Sequence, residues 1–213
     1  MLMDLFEAIE NQNLYRIAEL LSHGADPNSL RSESPGWTPL HEAIEQLEDG
    51  GAIETLVLLL RHGAAVDTWD ANHDSTPLLM ALFREQIEAV RLLLAAGADP
   101  NVVGSEGDSP LRWCVEQGDY DTAAMLLRCG ATKTLNGAGG PSGMTALGQA
   151  ATRLDLKMIE LLLQAGADPE FLDADKFTAY RRLPPRNEAK DDAVWLAASA
   201  LLDPDFSQAR KNA

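Results

Sequence analysis

Four histidines, two cysteines, a glycine cluster and many acids are the residues of this 213-residue chain whose types could do chemistry. Their spacing limits what that chemistry is. A helix that grips zinc offers two histidines four apart, and a structural zinc site opens with two cysteines three apart. Here the histidines stand at 23, 41, 62 and 73 and the cysteines at 114 and 129, so neither pattern is present. Gly137-Ala138-Gly139-Gly140 invites comparison with a phosphate loop. It lacks the Gly-Lys-Ser/Thr ending, a preceding buried strand and an acidic ribose partner at the right distance, so it reads as a long flexible finger. The nucleophile pattern Gly-x-Ser-x-Gly is missing, and no pair of carboxylates is singled out by an apolar pocket. Catalytic residues, a metal and a cofactor are therefore not expected.

The elements that position these residues repeat. Gly24-Ala25-Asp26-Pro27-Asn28 returns as Gly63-Ala64-Ala65-Val66-Asp67, Gly97-Ala98-Asp99-Pro100-Asn101, Gly130-Ala131-Thr132-Lys133 and Gly166-Ala167-Asp168-Pro169-Glu170. Each copy follows a leucine run, such as Leu58-Leu59-Leu60 or Leu92-Leu93-Leu94. The first glycines stand at 24, 63, 97, 130 and 166, which gives separations of 39, 34, 33 and 36. A period near 33 signals a repeat solenoid, in which each unit buries its apolar stripe only against its neighbours. A second phrase runs in step: Thr38-Pro39-Leu40-His41-Glu42-Ala43, then Thr76-Pro77-Leu78, Ser109-Pro110-Leu111, Thr145-Ala146-Leu147 and a faded Thr178-Ala179-Tyr180-Arg181. Thr or Ser can cap a helix start, Pro at the next position has no N–H to leave unpaired, and Gly suits the left-handed residue that closes a helix. Each unit is thus predicted to be a helix, a turn, a second helix and a polar finger. His23 and His62 directly precede a closing Gly, where a cation suits the helix dipole. His73 falls in a finger tip, placed to touch a partner.

This pattern resembles the ankyrin repeat, whose usual signature is the Thr-Pro-Leu-His-x-Ala string found at Thr38–Ala43. The match runs from about residue 3 to residue 183. It implies an all-α solenoid of helix-turn-helix units joined by hairpin-like fingers, and gives His41 a structural hydrogen-bonding role. The expected organisation is one domain over 1–203, with units near 1–33, 34–71, 72–104, 105–140 and 141–173, a cap over 174–203 and a frayed tail over 204–213. From capping Thr to closing Gly the family spacing is 21, yet unit two needs 25, which puts four extra residues near Leu47–Gly51. The finger Lys133–Gly143 is also longer than usual and rich in glycine; insertions of this kind map to loops, often on the binding face. A first helix is expected over Met3–Leu14, and a closing amphipathic helix over Glu188–Leu202 after Pro184-Pro185.

Seventeen basic residues against 33 acidic ones give a net charge of −16. Such a surface attracts basic partners and repels nucleic-acid phosphates, although acidity also serves solubility alone. No apolar stretch of 18 residues is present and the N-terminus has no basic region, so neither a membrane span nor a secretory signal is expected. Two cysteines in a chain this long fit a reducing cytoplasm, with Cys114 at a small-residue position of an inner helix and Cys129 before a closing Gly, both as free thiols.

In the family that this chain resembles, partners lie along the fingers and the exposed side of each inner helix. Transferred by register, that surface comprises Ser34, Trp37, Glu45 and Gln46 in unit two, and Asn72, His73, Ser75, Phe83 and Arg84 in unit three. Glu106, Asp108, Trp113, Glu116 and Gln117 belong to unit four, Met144, Thr152 and Arg153 to unit five, and Phe177 to the cap. Large aromatics ringed by charge have the composition of interface hot spots. Trp37, Phe83 and Trp113 are the expected anchors, unless they pack between neighbouring fingers, and Glu45, Glu106, Asp108 and Glu116 the acids that would pair with a basic partner. The resulting expectation is a cytoplasmic, non-enzymatic protein-binding module, monomeric when free, of an inhibitor or immunity type that covers a basic protein such as a toxin. An adaptor or host-directed effector that bridges two partners is the alternative, and an enzyme with a loop-borne site a remote one.

Overall fold

The computed structural model describes residues 4–32 and 35–203; Met3, Ser34 and the expected tail over 204–213 lie outside them. Close contacts gather the chain into two compact units that meet in sequence between Ser105 and Glu106. In the first, α1 (Leu5–Glu10), α3 (Pro39–Gln46) and α5 (Pro77–Phe83) form an inner row. Behind them come α2 (Leu14–Ser22), α4 (Glu54–Arg61) and α6 (Ile87–Ala95), each packed on the inner helix that precedes it. The second unit repeats the scheme with α7 (Pro110–Gln117) and α9 (Ala146–Thr152) inside and α8 (Tyr120–Arg128) and α10 (Leu156–Gln164) behind. It closes with α11 (Asp192–Leu202), which packs on α10. Its finger carries a two-stranded antiparallel ribbon, β1 (Ala138–Gly139) paired with β2 (Met144–Thr145).

The local chemistry follows the repeated phrases. The side chains of Thr38, Thr76, Ser109 and Thr145 each accept the backbone N–H three residues on, which fixes the start of α3, α5, α7 and α9. Asn13, Asp119 and Asp155 do the same for α2, α8 and α10. The closing glycines 24, 63, 97, 130 and 166 all hold φ between 88° and 97°, and a methyl added there would touch nothing. Backbone conformation alone therefore selects glycine at these five positions. The fifth residue of the phrase ties one turn to the next: the Asn28 amide donates to the Gly63 carbonyl (3.0 Å) and accepts from Ala65 N–H (2.7 Å). Asp67 accepts Asp99 N–H at 2.9 Å, and in the copy that starts at Gly130 the same link comes two residues later, with Asn136 accepting Asp168 N–H at 2.9 Å. Leu40, Ile44, Leu56, Leu59, Leu78 and Leu93 are fully buried in the first unit, as Leu111, Leu126, Ile159 and Leu162 are in the second.

Both expected end helices are shorter than their sequence patterns. α1 begins at Leu5, because Asp4 caps it and forms a capping box with Glu7, and it stops at Glu10, because Gln12 turns left-handed (φ 52°). Leu14 opens the next helix instead of closing the first. At the other end Asp191 caps α11, so Glu188 belongs to a separate single turn over Arg186–Glu188 that follows Pro185. Thr178 starts only a short 3-10 turn, Tyr180–Arg182.

The turn from inner to outer helix uses the same left-handed residue in four units: Gln12, Glu85, Gly118 and Leu154, at φ 52°, 54°, 72° and 56°. A non-glycine residue is strained there by roughly 1 kcal/mol. Glu85 is exposed, and its carboxylate makes no hydrogen bond or ion pair among the described residues. Glu85→Gly is therefore expected to raise stability by about 1 kcal/mol in chemical denaturation, and a loss would show that its side chain holds the turn.

Candidate protein-binding surface

In the first unit Glu45, Gln46, Phe83 and Arg84 lie at the C-terminal ends of α3 and α5, whereas Trp37 and His73 precede these helices. Glu45 and Arg84 face each other across the two helices, with Arg84 Nη2 2.9 Å from Glu45 Oε2 and Arg84 Nε 3.7 Å from Glu48 Oε1. Burial pushes the Glu45 carboxyl above its ordinary value and Arg84 pulls it back, but not fully. Gln46 donates to Glu42 (3.0 Å), whose other oxygen takes Arg31 (2.8 Å). Arg31 also reaches Glu10 (2.6 Å) and lies 5.5 Å from the Phe6 ring centre. Phe83, the last residue of α5, and Trp37, whose carbonyl accepts Arg31 N–H, are half-buried. His73 is exposed at its finger tip in a left-handed conformation (φ 57°), with its ring 6.3 Å from that of Trp69.

The second unit is built around a residue that the sequence reading passed over. Arg112 takes the fourth place of the helix-start phrase, where the first unit has His41, and only 2 % of it is exposed. Its guanidinium faces Asp108 through Nη2, and Nη1 lies 3.5 Å from Glu116 Oε2. Burial pulls Arg112 below its ordinary pKa, an effect that Glu116 offsets. Gln149 of α9 donates to the same Glu116 oxygen (3.5 Å) and to the Ser142 hydroxyl (3.3 Å). Trp113, also on α7, is half-buried, while Glu106, Glu116 and Gln117 are exposed. Met144 is half-buried, its sulfur 3.8 Å from the Thr152 hydroxyl. Arg153 donates to the Glu116 carbonyl, so its charge sits at the negative end of the α7 dipole.

Three acids expected to meet a partner thus already have internal counter-ions, Glu45 in Arg84, Asp108 in Arg112 and, more loosely, Glu116 in Arg112. Glu106 and Glu116 remain with exposed carboxylates. The guanidiniums of Arg181 and Arg182 lie 4.7 and 4.9 Å from the centre of the Phe177 ring. Arg182 is in turn held by Asp173 and Asp175, both at 2.6 Å. Trp195, half-buried on α11, donates its ring N–H to the Pro184 carbonyl (2.8 Å). The sequence did carry a signal for Arg112: an arginine in the histidine position, followed by the one finger with four glycines. Among the described residues no group of three His, Cys, Asp or Glu could hold a metal ion, and no helix is long and apolar enough to cross a membrane.

The family model for ankyrin repeats matches in three overlapping copies, over residues 5–104, 53–137 and 96–173. The chain belongs to the ankyrin-repeat family. Ankyrin repeats mediate protein–protein interaction and act as non-enzymatic scaffolds. Pig NF-kappa-B inhibitor alpha is 31% identical over 148 residues, which are 68% of this chain and 47% of that protein. This ankyrin-repeat chain spans less than half the length of the curated relatives it matches. Among solved structures, an ankyrin repeat domain (ABAYE2397) from Acinetobacter baumannii superposes with a TM-score of 0.75 at 25% identity, covering 93% of this chain and 95% of that one. A chain from the complex of the predatory endopeptidase Bd0816 of Bdellovibrio bacteriovorus with immunity protein Bd3460 gives 0.69 at 25% identity, covering 92% and 96%.

Proposed function

We propose that this ankyrin-repeat chain is a non-enzymatic inhibitor or immunity-type protein that covers a basic partner protein, and that Trp113 and Glu116 are part of its contact surface. The observation that carries the reading is the pairing of a half-buried tryptophan with an exposed carboxylate on one face of α7, in a chain of net charge −16. An aromatic anchor with adjacent charge is what an interface hot spot requires, and the excess negative charge speeds encounter with a basic protein. The likeness to a chain of the endopeptidase–immunity protein complex supports the same reading.

Affinity capture from the native cell extract at low and high salt tests it. One stoichiometric basic protein is expected, released by salt and lost with Trp113→Ala or Glu116→Lys. The anchor is expected to contribute about 1–3 kcal/mol of affinity, or roughly 5- to 150-fold in Kd, with the melting temperature little changed. Several substoichiometric proteins that ignore both substitutions would favour an adaptor that bridges partners.

A further inference from the structure

Eight asparagines stand in this chain, at 11, 13, 28, 72, 101, 136, 187 and 212, and only Asn136 is followed by a glycine. The backbone nitrogen of the next residue can attack an asparagine amide to close a five-membered ring, and a side chain on that residue hinders the closure. Gly137 has none. Both reacting groups are tied down in the folded chain. Asn136 Oδ1 accepts Asp168 N–H at 2.9 Å, which anchors the amide to the next repeat. Gly137 N–H donates to the Thr134 carbonyl, also at 2.9 Å, so the nitrogen that would attack keeps its proton in a hydrogen bond. These ties sit in an easily opened place: Gly137 and Ala138 are exposed, and the ribbon that follows has only two residues in each strand.

We propose that Asn136 is a self-modifying site, gated by opening of this finger, whose main product breaks the tie between two repeats. When the finger opens, Gly137 nitrogen loses its proton and bonds to Asn136 Cγ, the bond from Cγ to Nδ2 breaks, and ammonia leaves. Water then opens the succinimide at either carbonyl, giving aspartate or isoaspartate. Aspartate is harmless, since Asp67 already accepts Asp99 N–H in the same role (2.9 Å). Isoaspartate is not. Its main chain runs through the former side chain and is one carbon longer, so the acceptor for Asp168 N–H is gone. The added carbon also falls between two fixed points. Leu135 is buried on one side, and on the other Gly139 and Gly140 pack on Gly107 and Arg112 without room for a methyl. This chemistry does not depend on what the chain binds.

Incubation of the full chain at neutral pH, with and without unfolding urea, tests the site by peptide mass mapping and isoaspartate assay. Asn136 is expected to gain the mass of an amide-to-acid exchange before any other asparagine, at least about tenfold faster in urea than in the folded chain. The mass gain separates it from isomerisation at Asp49-Gly50, which expels water and leaves the mass unchanged. In urea, where folding plays no part, Gly137→Ala should slow Asn136 to the rate of the other asparagines. Refolded chain enriched in isoaspartate should denature at lower urea, whereas Asn136→Asp should match the parent. Equal rates in folded and unfolded chain would overturn the gate. Faster conversion at another asparagine in urea would overturn the site, and an isoaspartate form as stable as the parent would overturn the broken tie.

Discussion

Gly140→Ala is expected to destabilise the second unit by about 3 kcal/mol. Gly140 holds φ 64°, and a methyl there would collide with the guanidinium of Arg112. The tip of an arginine usually swings aside at little cost. This one is buried and gripped by Asp108, so it cannot. Overpacking of a buried site costs about 1–3 kcal/mol and the left-handed backbone adds roughly another 1–2. The neighbouring Gly139 is equally constrained, because its methyl would strike the Gly107 carbonyl oxygen, which belongs to the backbone. The glycines of the long finger thus make room for Arg112 beneath them. A double-mutant cycle isolates that relation: with Arg112→Leu, the residue type found at the matching position Leu79, Gly140→Ala should cost only about 1 kcal/mol, the backbone part alone. Additive losses in urea denaturation would show that arginine and glycine are independent.

The second large effect belongs to His41 and to acid. Its ring is fully buried, with Nδ1 2.8 Å from the Thr38 hydroxyl and 3.3 Å from Thr38 N–H, and Nε2 3.3 Å from the Ser75 carbonyl. Thr38 N–H must donate to Nδ1, so the proton of the neutral ring sits on Nε2 and donates to Ser75. Burial lowers the pKa from 6.5 to about 4, against the opposing pull of the Ser75 carbonyl and Asp70. Between pH 6.5 and 4 the unfolded chain takes up a proton that the folded one refuses, so stability is complete above pH 6.5 and falls as the pH drops. The loss reaches about 3 kcal/mol near pH 4. Glu45, with its carboxyl raised, contributes in the opposite direction, since its folded form binds protons more readily. Comparison with His41→Leu cancels that background: the parent should lose about 3 kcal/mol more than the variant over this range. Parallel pH profiles would mean that the buried ring charges without penalty.

The repeat architecture was legible in the sequence because its determinants are local. A Thr, Pro and Gly at fixed offsets start and stop a helix whatever surrounds them, and the leucine stripes need only the helical period to mark the buried face. The same local logic placed Trp37, Phe83 and Trp113 on candidate surface positions by register. It failed at the chain ends, where an apolar pattern continued past the actual caps at Asp4 and Asp191. Tertiary structure decided everything that depends on which charges meet. Glu45 finds Arg84 39 residues away, Asp108 is taken by Arg112, and Glu116 comes to lie between Arg112 and Gln149, 33 residues farther along the chain. A glycine-rich finger likewise reads as slack in sequence, and only its packing over a buried arginine shows why side chains are excluded there. Charge pairing and steric exclusion depend on distances across repeats, and a one-dimensional period does not encode them.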